Sequence, residues 1–174
     1  MADGTDRDVV ELLPVLARYA RVLTRDEHAS EDLLHDALLR AYERSATFRP
    51  DGSLRAWLLS IIHNVFISRI RRERVAAESI GRLAALTVES MPPSQETTAY
   101  FSEIAGRFDA LPEGQRAALS LIAVEGMSYR EAADALGVPV GTVMSRLARA
   151  RASLRDSTVN TNRPGLKIVG KQDG

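Results

Sequence analysis

The stretch SYREAADALGVPVGTVMSRLARARASLRD, from Ser128 to Asp156, restricts the fold more than any other part of the chain. Ser128 can cap a helix, and Glu131 three residues on can reach back to the free backbone N–H at the cap, a reciprocal pair that fixes where the helix begins. Ala132, Ala133 and Leu136 then form a small apolar face. Gly137 stops this helix, because only a residue without Cβ enters the left-handed conformation cheaply. Pro139 suits the first turn of the next helix, where its missing N–H is not needed. Two short helices joined by a turn of about three residues make a helix-turn-helix.

In the second helix Val143, Leu147, Ala150 and Leu154 recur at helical steps and share one inward stripe. The opposite stripe carries Thr142, Ser145, Arg146 and Arg149. Such a helix can enter a DNA major groove, where Arg reads guanine and the N-terminal residues come closest to base edges. Arg151 and Arg155 lie off the stripe and suit phosphates, which position a protein without reading sequence. An ordinary helical hairpin with a solvated basic face is the alternative. The cap, the glycine, the proline and the arginine stripe together favour DNA.

Long helical periodicities, with little aromatic or β-branched alternation, predict an all-α chain, and 174 residues allow one domain or two small ones. With no cysteine, disulfides and thiolate metal sites are excluded. No apolar run is long enough to cross a membrane, and the start MADGTDRDVV lacks a signal-peptide pattern, so a cytoplasmic protein without membrane insertion is expected.

The net charge of zero hides an uneven distribution. Residues 1–36 hold nine acids against four arginines, a balance of −5. Residues 40–74 hold eight arginines against three acids (+5), and residues 130–155 five against two (+3). Two basic blocks imply two contacts with a polyanion, and the acidic segment implies a different partner. Lysine occurs only at 167 and 171, so nearly every cation is a planar arginine fork suited to phosphate and guanine.

Along the chain, Leu12, Leu16, Tyr19 and Leu23 predict a first helix over about 9–23, with Pro14 in its first turn. A second helix is expected from near Ser30 to Ser45, with Leu34, Leu38, Ala41 and Tyr42 inward and Glu31, Asp32, His35, Asp36 and Arg40 outward. By composition alone that outer face reads as solvated surface. Pro50, Asp51 and Gly52 form a turn, and Ser53 caps a helix whose apolar stripe is Leu54, Trp57, Leu58, Ile61, Ile62 and Val65. Trp57 is expected as a core or partly core anchor rather than a base-stacking platform, with His63 and Asn64 facing away from the stripe. This helix ends in Arg69, Arg71, Arg72 and Arg74, and since the bundle uses its apolar face, nucleic acid suits it better than a membrane surface. Helical scraps near 80–86 and 100–108 flank MPPSQETT, which has the composition of a linker. A further helix follows Pro112 and stops at Gly126, and residues 157–174 read as a loose tail. The expected architecture is therefore two small helical domains, 1–75 and 108–156, joined by a flexible linker at 76–107.

EDLLHDALLRAYERSATFR, then LRAWLLSIIHNVFISRIRRER, then LPEGQRAALSLIAVEGMSYREAADALGVPVGTVMSRLARARASL resembles a bacterial sigma factor of the extracytoplasmic-function type. The resemblance covers about 9–74 and 108–155 and implies a specificity subunit that joins core RNA polymerase and directs it to promoters. It implies that Glu31, Asp32, Leu33, His35, Asp36 and Leu39 dock on the clamp helices of the largest polymerase subunit. Segment 55–74 would face the minus-ten element, with Trp57, His63, Asn64, Arg69, Arg71 and Arg72 receiving single-stranded bases and backbone. Thr142, Ser145, Arg146, Arg149 and Arg151 would meet the minus-thirty-five element as duplex. An anti-sigma factor is a further partner the resemblance implies. His35, His63 and Ser68 stand where many relatives carry Gln, Arg and Asp.

Two other readings stay within transcription: a sigma-like decoy that sequesters an anti-sigma factor, and a simple helix-turn-helix regulator. The decoy usually carries a phosphoacceptor receiver domain, for which there is no room, and the regulator leaves the basic 55–74 helix unexplained. Catalysis or a metal built on His28, Glu31, Asp32 and His35 lacks a third ligand at a recognised spacing, so neither a cofactor nor a catalytic residue is expected.

Overall fold

The structure, a computed structural model, describes residues 3–49, 51–80 and 104–155. Helix α1 spans Asp3–Thr24, α2 Glu27–Glu43 and α3 Leu54–Ile80, with a single 3-10 turn at Ser45–Thr47. After a short helical stretch at 104–109 come α4, Glu113–Leu119, then α5, Tyr129–Leu136, and α6, Val140–Arg155. No described residue lies in a strand, and no described helix is long and apolar enough to cross a membrane. The linker MPPSQETT and the tail lie outside the described residues.

Helix α1 begins earlier than its apolar period suggests, so Pro14 sits in its interior rather than its first turn. Proline there removes the hydrogen bond to the carbonyl four residues back, that of Val10. Both residues are exposed, which leaves that carbonyl open to water. The helix ends at Arg25, which takes a left-handed φ of 59° while its N–H bonds the Arg21 carbonyl at 2.8 Å. Asp26 then caps α2 by accepting from the Ala29 N–H at 2.7 Å, which moves the start of α2 ahead of Ser30. The buried positions of α2 are Ser30, Leu33, Ala37 and Ala41, so Leu34 and Leu38 pack only at the margin and Tyr42 points to solvent. Ser53 caps α3 through the Ala56 N–H at 3.2 Å. Leu58, Leu59, Ile61, Ile62 and Val65 fill the bundle from α3, while Trp57 is half-buried against Phe48 with ring centroids 5.3 Å apart.

The core does not stop at the N-terminal bundle. Ala117, Ala118 and Leu121 join Met127, Ala132 and Leu136 in the same buried cluster as Leu16, Tyr19, Leu59 and Ile62. A second, smaller cluster of Leu111, Leu119, Leu147 and Ala150 holds α4 against α6. Helix α4 continues as one wide i→i+5 turn over Ser120–Val124, closed by the Glu125 N–H on the Ser120 carbonyl at 2.9 Å. Such a turn inserts one residue and rotates the next side chains around the helix axis. The first of them here is Glu125, whose side chain is 0% exposed. Its carboxylate receives Arg18 Nε and Nη2 of α1, both at 2.8 Å, and Arg55 Nη2 of α3 at 2.7 Å. Burial alone pushes that carboxyl up, but the bonds from the two guanidiniums outweigh it and hold the group below the ordinary carboxylate range.

A second cation works in the reverse direction. Arg116 of α4, itself buried, donates to the carbonyls of Val22 at 2.7 Å and Leu23 at 3.2 Å, at the C-terminal end of α1. These carbonyls lack helical partners and carry the negative end of the helix dipole, so a guanidinium suits them. Arg25 completes the seam by donating to the Asp109 carbonyl at 2.9 Å.

Candidate nucleic-acid interface

The helix-turn-helix forms as its local chemistry dictates. The Ser128 N–H donates to Glu131 Oε2 at 2.8 Å and the Glu131 N–H to Ser128 Oγ at 3.2 Å, and the Ser128 bonds hold the Glu131 carboxyl below its ordinary value. Gly137 takes φ 62° and ψ 36°, where a Cβ would be strained, and the Val138 N–H returns to the Ala133 carbonyl at 3.1 Å. Helix α6 then buries Val143, Leu147 and Ala150.

Opposite that buried stripe Ser145 and Arg149 are exposed, and Arg151 is exposed off that face. Thr142 and Arg146 are half-buried on its flank. The Arg146 guanidinium lies against the first turn of α4: a Cβ added at Gly114 would come within 3.0 Å of its Cζ. Sequence reasoning missed Met144, which is 54% exposed beside Ser145. The signal was an apolar residue off the stripe of Val143 and Leu147, and its chemistry suits the thymine methyl in a major groove.

On α3 the residues expected to meet single-stranded DNA divide. Asn64, Arg71 and Arg72 are exposed and Arg69 is half-buried. His63 does not face away from the core as expected: it is 5% exposed, with Nδ1 at 3.2 Å from the Tyr19 hydroxyl. Burial, with a smaller contribution from the nearby Arg146 charge, pushes the imidazole down to about 4, so the ring is neutral at physiological pH. Arg146 thus lies near enough to act on His63, so one member of each of the two sets expected to meet DNA falls in the same body. A cleft of about 460 Å³ between Phe48, Trp57 and Ser60 on one wall and Glu131 and Asp134 on the other marks the same seam.

On α2, Glu31, Asp32, His35 and Asp36 are exposed, and Leu39 is exposed at its end of the same face. Leu33 is fully buried, so it supports this face from beneath and offers no side chain to a partner. Arg69 Nη2 reaches from α3 to Asp36 Oδ2 at 2.6 Å and to the Asp32 carbonyl at 3.0 Å. The Arg69 bond is the main reason the Asp36 carboxyl lies below its ordinary value.

An acidic, partly apolar face on one helical bundle, a basic helix beside it and a capped helix-turn-helix behind it define a two-module helical DNA-binding protein. Residues 9–75 match the family model for Sigma-70 region 2, and residues 102–154 the model for Sigma-70, region 4. The chain is 36% identical over 154 residues to the ECF RNA polymerase sigma factor EcfG of Rhodopseudomonas palustris (strain TIE-1), covering 88% of this chain and 84% of that protein. It therefore belongs to the ECF RNA polymerase sigma factors. Among solved structures, the sigma factor RpoE in complex with the anti-sigma factor NepR from Bartonella quintana is similar with a TM-score of 0.72 and 30% identity, over 91% of this chain and 98% of that one. CnrH in complex with the cytosolic domain of CnrY is similar with a TM-score of 0.62 and 27% identity, over 91% and 88%.

Proposed function

We propose that this sigma factor works as a non-enzymatic cytoplasmic subunit with three separate faces. The open α2 face, Glu31, Asp32, His35, Asp36 and Leu39, docks on the clamp helices of core RNA polymerase. The α3 surface from Trp57 to Arg72 takes the minus-ten element, with Asn64, Arg71 and Arg72 holding single-stranded bases and phosphates. Helix α6 reads the minus-thirty-five duplex with Ser145 and Arg149 at base edges and Arg151 on phosphate. The observation that supports this most is the capped, glycine-stopped helix-turn-helix whose second helix exposes Ser145, Arg149 and Arg151 away from its buried stripe. An anti-sigma factor is the third partner, by analogy with RpoE and CnrH, whose structures contain one or the cytosolic domain of CnrY.

The test is transcription in vitro by core polymerase on a pool of genomic fragments, with and without the chain. New, discrete start sites that need the chain are expected. Identical transcripts in both reactions would overturn the proposal.

A further inference from the structure

Helix α6 leaves two large apolar side chains in water, Val140 at 38% and Met144 at 54% exposure. They stand four residues apart, one helical turn, so they form a single patch. Among the described residues, neither belongs to a buried cluster or to the partly buried apolar residues packed against one. At about 100° per residue, Met144 stands about 100° from Ser145 and about 140° from Arg149 around the helix axis. Arg151, seven residues on, returns to within about 20° of Met144. The exposed arc of α6 therefore has Ser145 in its middle, Arg149 toward one edge, and Met144 in line with Arg151 along the other.

Two exposed arginines on this arc suit a polyanion rather than an apolar protein surface. In a major groove the apolar group that a base pair offers is the thymine C5 methyl. The first turns of a recognition helix come closest to base edges, so Met144 reaches the bases while Arg151, about 10 Å farther along the same edge, meets phosphate. The thioether chain is unbranched and adapts to the methyl it covers. We infer that Met144, with Val140 behind it, selects a thymine in the upstream duplex element, about two base pairs from the guanine that meets Arg149 and on the opposite strand. This inference rests on the reading of α6 proposed above and adds to it a base, a spacing and a strand. The spacing follows from the five residues between Met144 and Arg149, which rise about 7.5 Å against about 3.4 Å per base pair. The strand follows because the two edges of a helix lying in the groove face its two walls.

The test uses the full chain with core polymerase on the promoter fragment recovered by transcription. Each thymine of the upstream duplex element is replaced singly by deoxyuridine, which keeps the base pair and removes only the C5 methyl. Competition binding should find one thymine, about two base pairs from the pair at which Arg149→Ala relaxes discrimination, where the swap weakens binding about fourfold, the equivalent of one buried methyl. Met144→Ala should bind the thymine and deoxyuridine forms alike, at the parent's affinity for the deoxyuridine form, and Met144→Leu should restore the difference. Because Met144 lies outside both buried clusters, these variants should keep the parent's helical circular dichroism. Indifference to every swap, a sensitive thymine on the same strand as that guanine, or a penalty that persists in Met144→Ala would overturn the inference. Promoter affinity unchanged in Met144→Ala would also overturn it and give the patch to a protein partner. Chain-dependent transcription with binding blind to the methyl would strike this inference alone, whereas no chain-dependent transcription would strike it together with the reading of α6.

Discussion

At the scale of single residues, Arg149 and Arg146 carry the same chemistry in different settings. Arg149 is exposed opposite the buried stripe of α6, whereas Arg146 is half-buried against Gly114 and near His63. Arg149→Ala should therefore weaken promoter binding by the holoenzyme by about 1–3 kcal/mol and relax discrimination at one base pair, measured by competition among single-base promoter variants. Ser128→Ala should cost about 1 kcal/mol in urea unfolding, since it leaves the Glu131 N–H without its cap. The Ser128–Glu131 pair was legible in the sequence because both bonds are local, three residues apart. Glu125 was not, because an acid between Val124 and Gly126 looks like any solvated charge until residues 107 and 70 positions away close on it. His63 was misplaced for a related reason: its cover comes from Tyr19, another element, rather than from the stripe of its own helix.

At the scale of elements, apolar period located every described helix longer than two turns but misjudged where α1 and α2 begin, whereas the caps read at Ser53 and Ser128 and the stop at Gly137 fell where the structure has them. Capping set those ends, as Asp26 does for α2, and the positive φ of Arg25 shows why α1 and α2 sit almost end to end. The wide turn after α4 had no signal in composition, although it is what delivers Glu125 inward. Helix α2 makes the sharpest separation of roles: Leu33, Ala37 and Ala41 hold the bundle while Asp36 and Leu39 face outward. Asp36→Arg should lower affinity for core polymerase at least tenfold by reversing charge on the proposed docking face and by expelling Arg69 from its 2.6 Å contact. The buried side of α2 is untouched, so the thermal unfolding midpoint should move by only a few degrees. Pull-down of core polymerase beside a melting curve separates the two effects, and undiminished polymerase binding would remove Asp36 from the docking face.

At the scale of the whole molecule, acid should loosen the seam in two stages. His63 is neutral in the folded chain down to about pH 4, whereas an unfolded histidine protonates near 6.5. Across that interval the unfolded state binds more protons, so stability that is fully present above pH 6.5 declines as pH falls to about 4, by about 3 kcal/mol. Below the ordinary carboxylate value of 4.5, Glu125 adds to the loss as pH drops through its depressed folded value. Urea midpoints at pH 7 and pH 4.5 should show the first stage, and His63→Gln should flatten it. That the chain forms two helical modules, each with a basic helix, could be read from charge blocks and helix signals. That they share one buried core could not, since it depends on contacts between distant segments that carry no local period. The most direct measurement is a footprint on the promoter recovered by transcription, made with core polymerase and the chain together. Duplex protection upstream and single-strand reactivity near the start site, the former lost in Arg149→Ala and both absent without the chain, are the predicted result. Protection of one continuous duplex with no melted segment would contradict a sigma factor that grips its promoter at two places.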